Sequence, residues 1–509
     1  MTDKKRPMEL GVLSSFTEDG SNPFDVIARY GVATTQLNNW DMSKWTRENA
    51  EKVKRDLKSS GVRLAALWTG YSGTVIWDLI DGPDTMGLIP EYTRKKRIAD
   101  LKAGADFAAT VKNLGGDAEN PFAVFAESRE VFAERREALK EWAAKQAAVE
   151  KSWRAEHKEL ARKLDDFLSG KLPEIDYKSI EMKADVATRA ASATVLGVFA
   201  EKIDNMIVAS ADLSNSDKTD GYLKKTKAFT KGDFSGKFFQ AGVSELTMAC
   251  VANGMALHGG VIPVCGTFFV FSDYMKPAVR LSALMRLHVV YVWTHDSFRV
   301  GEDGPTHQPV EHEAQIRLME HLRNHHDERS MLVLRPADGD ETVMAWKLAV
   351  EEHRPVALVL SRQNIKTLPT LGAIRREEAA QVAKGGYVVM DAAKPAAVLI
   401  ATGSEVATLV EGAELLAAEG IAVRVVNVPS EGLFRDQPKS YQESVLPAGV
   451  VRYGMTSGLP VNLLGLVGDS GTIHGLDHFG YSAPYTVLDE KFGYNGPTVA
   501  AEVKKMLGK

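Results

Sequence analysis

The run at residues 288–293, H-V-V-Y-V-W, stops abruptly at T-H-D-S-F-R-V-G-E-D-G-P-T-H-Q-P, residues 294–309. Valine and aromatic side chains in so short an apolar run predict a buried strand. Beyond the strand comes a glycine-containing loop carrying His295, Asp296, Arg299, Glu302, Asp303 and His307. Open α/β sheets hold ligands just beyond the carboxyl ends of their strands. A strand that ends this way therefore constrains the architecture and the place of the chemistry together. A solvated loop that happens to hold two histidines is the plainer alternative, and the rest of the chain decides between them.

At 509 residues the chain is too long for one ordinary core, and its length suggests three or four domains. Apolar residues make up 44% and charged residues 25%, the balance of a soluble globular chain. The net charge of -5, with no strongly charged tail, recommends no nucleic-acid partner. Cys250 and Cys265 lie in apolar contexts without metal-ligand spacing. They predict buried thiols in a reducing compartment rather than a disulfide framework or a metal site. No apolar stretch reaches transmembrane length, and residues 1–7 are too polar and short for a signal peptide. The expectation is a cytoplasmic protein with no membrane contact.

Residues 8–108 read as βαβαβα. Strands are expected at 8–14, 33–37 and 64–68, and helices at 23–30, 46–60 and 92–109. Thr46 is placed to cap its helix, and Gly31 and Gly61 to close theirs. This order predicts parallel strands covered by helices. Trp40, Trp68, Tyr71 and Trp77 read as core or edge-covering aromatics. Residues 109–180 read as a helical linker. A turn-rich passage at 112–122 precedes runs of Ala, Glu, Lys and Arg in which Phe125, Phe132, Leu139, Trp142 and Val149 recur at helical spacing. The expected role of those apolar residues is packing on neighbouring elements. Asp117, after Gly115 and Gly116, is led into by no strand and followed by no ligand-spaced partner.

Residues 181–370 form the expected chemical domain. Strands are expected at 206–210, 261–264, 288–293, 331–334 and 357–360, and helices from 186 and over 238–253. A doubly wound order gathers their loop tips on one edge. It brings together Asp212, Ser216, Glu245, Phe268, Phe271, His295, Asp303, His307 and Arg362. Aromatics can hold a flat heterocycle, and a partly buried glutamate can hydrogen-bond or protonate a ring nitrogen. Arginines and a serine can bind a phosphate tail. Histidines and an aspartate can bind hydroxyls and move protons. The combination fits a polyol phosphate processed on an organic cofactor. Residues 380–509 read as a small α/β domain, with strands at 396–402 and 422–428 and a helix opening at Ser404. That serine is read as a cap before an anion ligand, and His474 and His478 as structural.

Several motifs carry a resemblance. A-T-R-A-A-S at 187–192, S-A-D-L-S-N-S at 210–216, A-G-V-S-E-L at 241–246, G-T-F-F-V-F at 266–271 and the stretch 294–309 resemble transketolase. So do A-T-G-S-E-V-A, V-P-S-E-G-L-F and D-H-F-G-Y-S-A-P further on. The likeness runs from about residue 110 to 509, over that family's pyrimidine-binding and C-terminal domains. It implies an enzyme of the pentose phosphate pathway that moves a two-carbon ketol unit from a ketose phosphate to an aldose phosphate on thiamine diphosphate. Glu245 then resembles the glutamate that pairs with the cofactor's pyrimidine and activates it. Phe271, with Phe268 beside it, resembles the aromatic stacked on that ring, and Asp212 and Leu213 resemble residues lining the cofactor. Arg189, Ser216, His295 and Arg362 resemble the binders of the sugar's terminal phosphate. Asp303 resembles the group that reads the acceptor's C2 hydroxyl, and His307 the histidine near the reacting oxygens; Glu245, His295 and His307 are the expected catalytic set. A homodimer through the pyrimidine-binding and C-terminal domains is also implied.

One departure qualifies this. The family's diphosphate- and metal-binding domain is marked by G-D-G and a later Asn, and no G-D-G occurs here. The expectation is that this chain holds only the pyrimidine half of the cofactor site and supplies no metal ligand. Mg²⁺ or Ca²⁺ would come through a partner domain, and the isolated chain would be inactive unless a separate polypeptide completes the site. In place of that domain, G-V-L-S-S-F at 11–16, Q-L-N-N-W at 36–40 and A-L-W-T-G-Y-S-G at 66–73 resemble the opening of sugar-phosphate isomerase and epimerase (β/α)₈ barrels. A non-catalytic fusion or binding subunit, and a sugar-phosphate isomerase, are the competing readings.

Overall fold

The computed structural model describes residues 10–17, 19–73, 88, 90–109 and 126–509. Trp77, Asp117 and Phe125 lie outside them. The chain divides into two compact units, residues 1–151 and 152–509.

In the first unit, β1 (Gly11–Ser15), β2 (Thr34–Asn39) and β3 (Arg63–Thr69) pair in parallel in the order β1-β2-β3. Helices Phe24–Arg29 and Arg47–Ser60 make the crossovers. Phe24, Ile27, Leu37, Ala50, Val53 and Val62 form the core between sheet and helices. The Thr46 side chain accepts from the Asn49 amide, and Gly61 ends that helix at φ +71°, a conformation open to a residue without Cβ. A third helix spans Glu91–Ala109. Trp40 and Trp68 stay partly exposed, with Trp40 edge-on to Tyr71 at 5.4 Å. Both are too exposed to be core residues.

Helices Ala126–Glu156 and Lys158–Leu168 come next, as the helical spacing predicts. The expected packing of the first does not occur: Phe132, Leu139, Trp142 and Val149 are all exposed. Its wealth of Ala, Glu, Lys and Arg favours helix locally, so the element forms without burying that stripe.

The second unit holds two sheets. Strands β4 (Met206–Ser210), β5 (Phe238–Gln240), β6 (Ile262–Phe268), β7 (Val290–Thr294), β8 (Leu332–Leu334) and β9 (Val356–Leu360) run β5-β4-β6-β7-β9-β8, all parallel. Every residue of β6, β7 and β9 is buried, which explains their unbroken apolar runs. One face packs on Phe199, Leu196 and Trp346, the other on Met248, Ala249 and Val279. The second sheet, β10 (Tyr387–Met390), β11 (Ala397–Ala401), β12 (Val423–Asn427), β13 (Arg452–Met455) and β14 (Thr472–His474), runs β10-β12-β11-β13-β14 with β10 antiparallel.

Some expectations are corrected here. Residues 238–253 are not one helix. Phe238–Gln240 pairs with β4, Gly242 turns the chain at φ +69°, and the helix starts at Glu245 and runs to His258. Cys265 is buried, but Cys250 is exposed, because it faces away from the core on that helix. Ser404 makes no capping bond. Its hydroxyl donates to Glu405 Oε1 at 2.7 Å and accepts from Arg299. His474 is held by Glu502 at 3.2 Å and the Phe492 carbonyl at 2.9 Å. No helix of the described residues is long and apolar enough to cross a membrane.

Candidate active site

The carboxyl ends of β4, β6, β7 and β9 release Asp212, Phe268, His295 and Arg362 onto one rim of the sheet. Asp212 and His295 both adopt left-handed backbone, φ +63° and +65°. Such residues are uncommon and cost about 1 kcal/mol or more unless their surroundings hold them.

His295 is held on every side. Its ring stacks on Phe268 with centroids 3.6 Å apart and planes 23° apart. Arg189, near the start of helix Thr188–Lys202, donates from Nη1 to His295 Nε2 at 3.2 Å and to the Ser216 carbonyl at 2.6 Å. Since Arg189 can only donate, Nε2 accepts, and the ring proton sits on Nδ1, 2.8 Å from Thr294 Oγ1. Burial first, then Arg189, Arg362 and His307, push the His295 pKa down to about 2. A neutral imidazole fixed in one tautomer suits hydrogen bonding better than proton transfer near neutral pH. Burial and the neighbouring charge of Arg362 lower Arg189 to about 10. Two guanidinium groups close enough to feel each other's charge, beside a neutral ring, suit an anion.

Phe268 and Phe271 lie parallel, 5.8 Å apart with planes within 4°. His307 stands edge-on to Phe271 at 5.4 Å, and its Nδ1 meets Thr306 Oγ1 at 2.8 Å. Glu245, the first residue of its helix, is only 7% exposed, and among the described residues none donates a hydrogen bond to its carboxylate. Leu213 is half-buried, its amide donating to Ser210 Oγ at 3.2 Å. The structure thus brings together Arg189, Ser216, Phe268, Phe271, His295, His307 and Arg362. Asp303 and Asp212 are exposed, with no bond to the cluster. Ser216 joins through its backbone carbonyl rather than its hydroxyl.

Sequence reasoning missed the residues beneath this rim. Asp217 is buried, accepting from Ser210 Oγ at 2.6 Å and from the Thr219 amide and hydroxyl at 2.9 and 2.7 Å. Burial pushes it up to about 6. Asp296 pairs with Arg335 at 2.7 Å, Arg335 with Glu405 at 2.5 Å, and Arg299 with Glu405 at 2.9 Å and Asp489 at 2.6 Å. Burial raises Asp296, whereas Arg335 and Arg299 hold Glu405 below the usual carboxylate range against its own burial. Nothing in spacing flags partners so far apart in sequence; only the unexplained charges of the loop 294–309 hinted at them. Among the described residues, Asp273, Glu311 and His312 bring ligand atoms within 4.8 Å of one another, but none belongs to the predicted site.

This architecture defines a class: a parallel α/β domain with an aromatic and arginine-bearing rim, joined to a mixed α/β domain. Residues 184–367 match the family model "Transketolase, pyrimidine binding domain" and residues 385–495 the "Transketolase-like TK C-terminal domain". A transketolase of Geobacillus stearothermophilus is 42% identical over 394 residues, 75% of this chain and 56% of that protein. A Pichia stipitis transketolase solved with xylulose-5-phosphate is 30% identical with a TM-score of 0.67, over 97% of this chain and 69% of that one. One from Leishmania mexicana is 26% identical with a TM-score of 0.71, over 98% and 75%. The chain belongs to the transketolase family through its pyrimidine-binding and C-terminal domains, and it spans little more than half the length of such curated relatives.

Proposed function

We propose that this chain supplies the pyrimidine-binding half of a transketolase-type site, for transfer of a two-carbon ketol unit between sugar phosphates. The observation that supports it most directly is the meeting of Arg189, Arg362 and neutral His295 beside the Phe268–Phe271 stack. An anion pocket next to an aromatic surface suits a substrate with a phosphate tail and a reacting end near a flat cofactor. Glu245, nearly buried with no donor among the described residues, fits the aminopyrimidine of thiamine diphosphate, and the phenylalanines fit its ring faces. Bound there, the cofactor would supply the carbon nucleophile. The chain's own part is to hydrogen-bond the pyrimidine through Glu245, hold the phosphate through Arg189, His295 and Arg362, and place hydroxyls against His307 and Asp303.

The diphosphate and its Mg²⁺ or Ca²⁺ are read as held by a domain contributed from elsewhere, in trans. A second copy of this chain is read as packing on the helices Glu245–His258 and Ser272–Met285, whose Leu246, Leu257, Leu281, Leu284 and Met285 are exposed.

Calorimetric titration of the purified chain separates the parts. Ribose 5-phosphate should bind, and Arg189→Ala should weaken it about tenfold or more, as for a lost charge-assisted contact. Thiamine diphosphate with magnesium should bind poorly until a chain carrying the diphosphate domain is added, and turnover should appear only then. Absence of sugar-phosphate binding would sink the reading. Binding without turnover in any mixture would favour a binding subunit.

A further inference from the structure

We propose that the C-terminal domain regulates the anion pocket through the buried chain Asp296–Arg335–Glu405. This rests on the phosphate reading of Arg189, His295 and Arg362 above. His295 keeps its left-handed backbone only while its neighbours hold it. On one side are Thr294 and Arg189. On the other is Asp296, whose Oδ2 accepts from Arg335 Nε at 3.1 Å and Nη2 at 2.7 Å. Arg335 is gripped in turn by the C-terminal domain. Its Nη1 donates to the Thr402 carbonyl at 3.0 Å and to Glu405 Oε2 at 2.5 Å, and its Nη2 to Ser457 Oγ at 3.0 Å. Gly403 lets the backbone wrap the guanidinium, since a Cβ there would stand 2.7 Å from Arg335 Nε.

Arg299 makes a second strut from the same loop. It donates to Glu405 Oε1 at 2.9 Å, Ser404 Oγ at 3.0 Å and Asp489 Oδ1 at 2.6 Å. One carboxylate at the start of helix Glu405–Ala418 therefore receives both arginines. Asp296 Oδ1 is buried without a partner among the described residues, so the joint is held through one oxygen of its carboxylate. Buried ion pairs of this kind do little for net stability yet fix geometry, and breaking one is costly. Coupling must also run both ways: a domain that tightens the anion pocket is itself tightened by the anion.

The test uses the full chain, inorganic phosphate as probe, and hydrogen exchange read by mass spectrometry. Asp296→Asn keeps an oxygen for Arg335 and the size of the side chain. It should fold with an unchanged circular dichroism spectrum, bind phosphate about tenfold more weakly, and exchange faster over residues 295–303. Arg299→Lys, which keeps the charge, should give a smaller loss in the same direction. Lys504→Ala, at a residue of the C-terminal domain paired with Glu419 and outside the network, should bind phosphate as the parent does. In the parent, phosphate should slow exchange over residues 397–409. If phosphate binds the parent and both loop variants equally, or leaves 397–409 unprotected, the regulation proposal is overturned alone. A parent that binds no phosphate overturns the anion reading, and this proposal with it.

Discussion

Asp217 holds its proton more tightly in the folded chain than in the unfolded one, because burial lifts it from 3.8 to about 6. The stability this contributes is complete below about pH 3.8 and is lost as pH rises through 6. Asp217→Asn stays neutral throughout. Its Oδ1 can keep both Thr219 bonds while its amide donates to Ser210 Oγ. Thermal melts should show the variant above the parent at pH 8, by up to about 3 kcal/mol, with the gap closing toward pH 4. A constant gap across that range would mean that the carboxyl does not titrate as described. His295 behaves differently, since burial and the two arginines hold it neutral down to about pH 2. His295→Phe keeps a ring against Phe268 and removes Nε2. Phosphate affinity should drop about tenfold, and the melting temperature should fall as well, because Arg189 and Thr294 lose their bonds to the ring; calorimetry and a melt on one sample check both.

Among the elements, those legible in sequence were the ones whose apolar runs are buried on both faces: β4, β6, β7 and β9 fall within a few residues of expectation. Their loop tips were legible too, which is why Asp212, Phe268, His295 and Arg362 were read as lying on one edge. β5 was lost because three residues, F-F-Q, carry no period, and their strand state comes from pairing with β4. The Arg335–Glu405 joint was illegible because contact between domains leaves no local pattern. The stripe on helix Ala126–Glu156 misled because periodicity reports a helix but not whether anything covers it. Where an element does pack, disturbing it has a cost that can be stated. Trp346 is fully buried, edge-on to Phe199 at 5.6 Å, with its indole N–H donating to Ser192 Oγ at 2.9 Å. Trp346→Ala should cost about 3–5 kcal/mol in denaturant unfolding of the second unit. A loss under about 1 kcal/mol would mean the helices close over the cavity.

At the scale of the whole molecule, two neighbouring helices leave Leu246, Leu257, Leu281, Leu284 and Met285 uncovered. These are the residues the proposed second copy of the chain would cover. Analytical ultracentrifugation should find a dimer, and Leu281→Arg with Leu284→Arg a monomer; a monomeric parent would refute the placement. Cys250, exposed on the same helix, gives an independent reading, because a maleimide should label it faster in the double variant.

The meeting of Gly403 and Arg335 has a consequence for how such chains can change over generations. Gly403 sits at φ +62° with no room for a Cβ against the guanidinium. A side chain at 403 becomes tolerable only after 335 has shortened. Yet shortening 335 first strands Asp296 as an unpaired buried charge and leaves Glu405 with Arg299 alone. Neither order of substitution has an easy first step, so the two positions form an epistatic lock, and a lineage that escapes it must exchange several members of the cluster together.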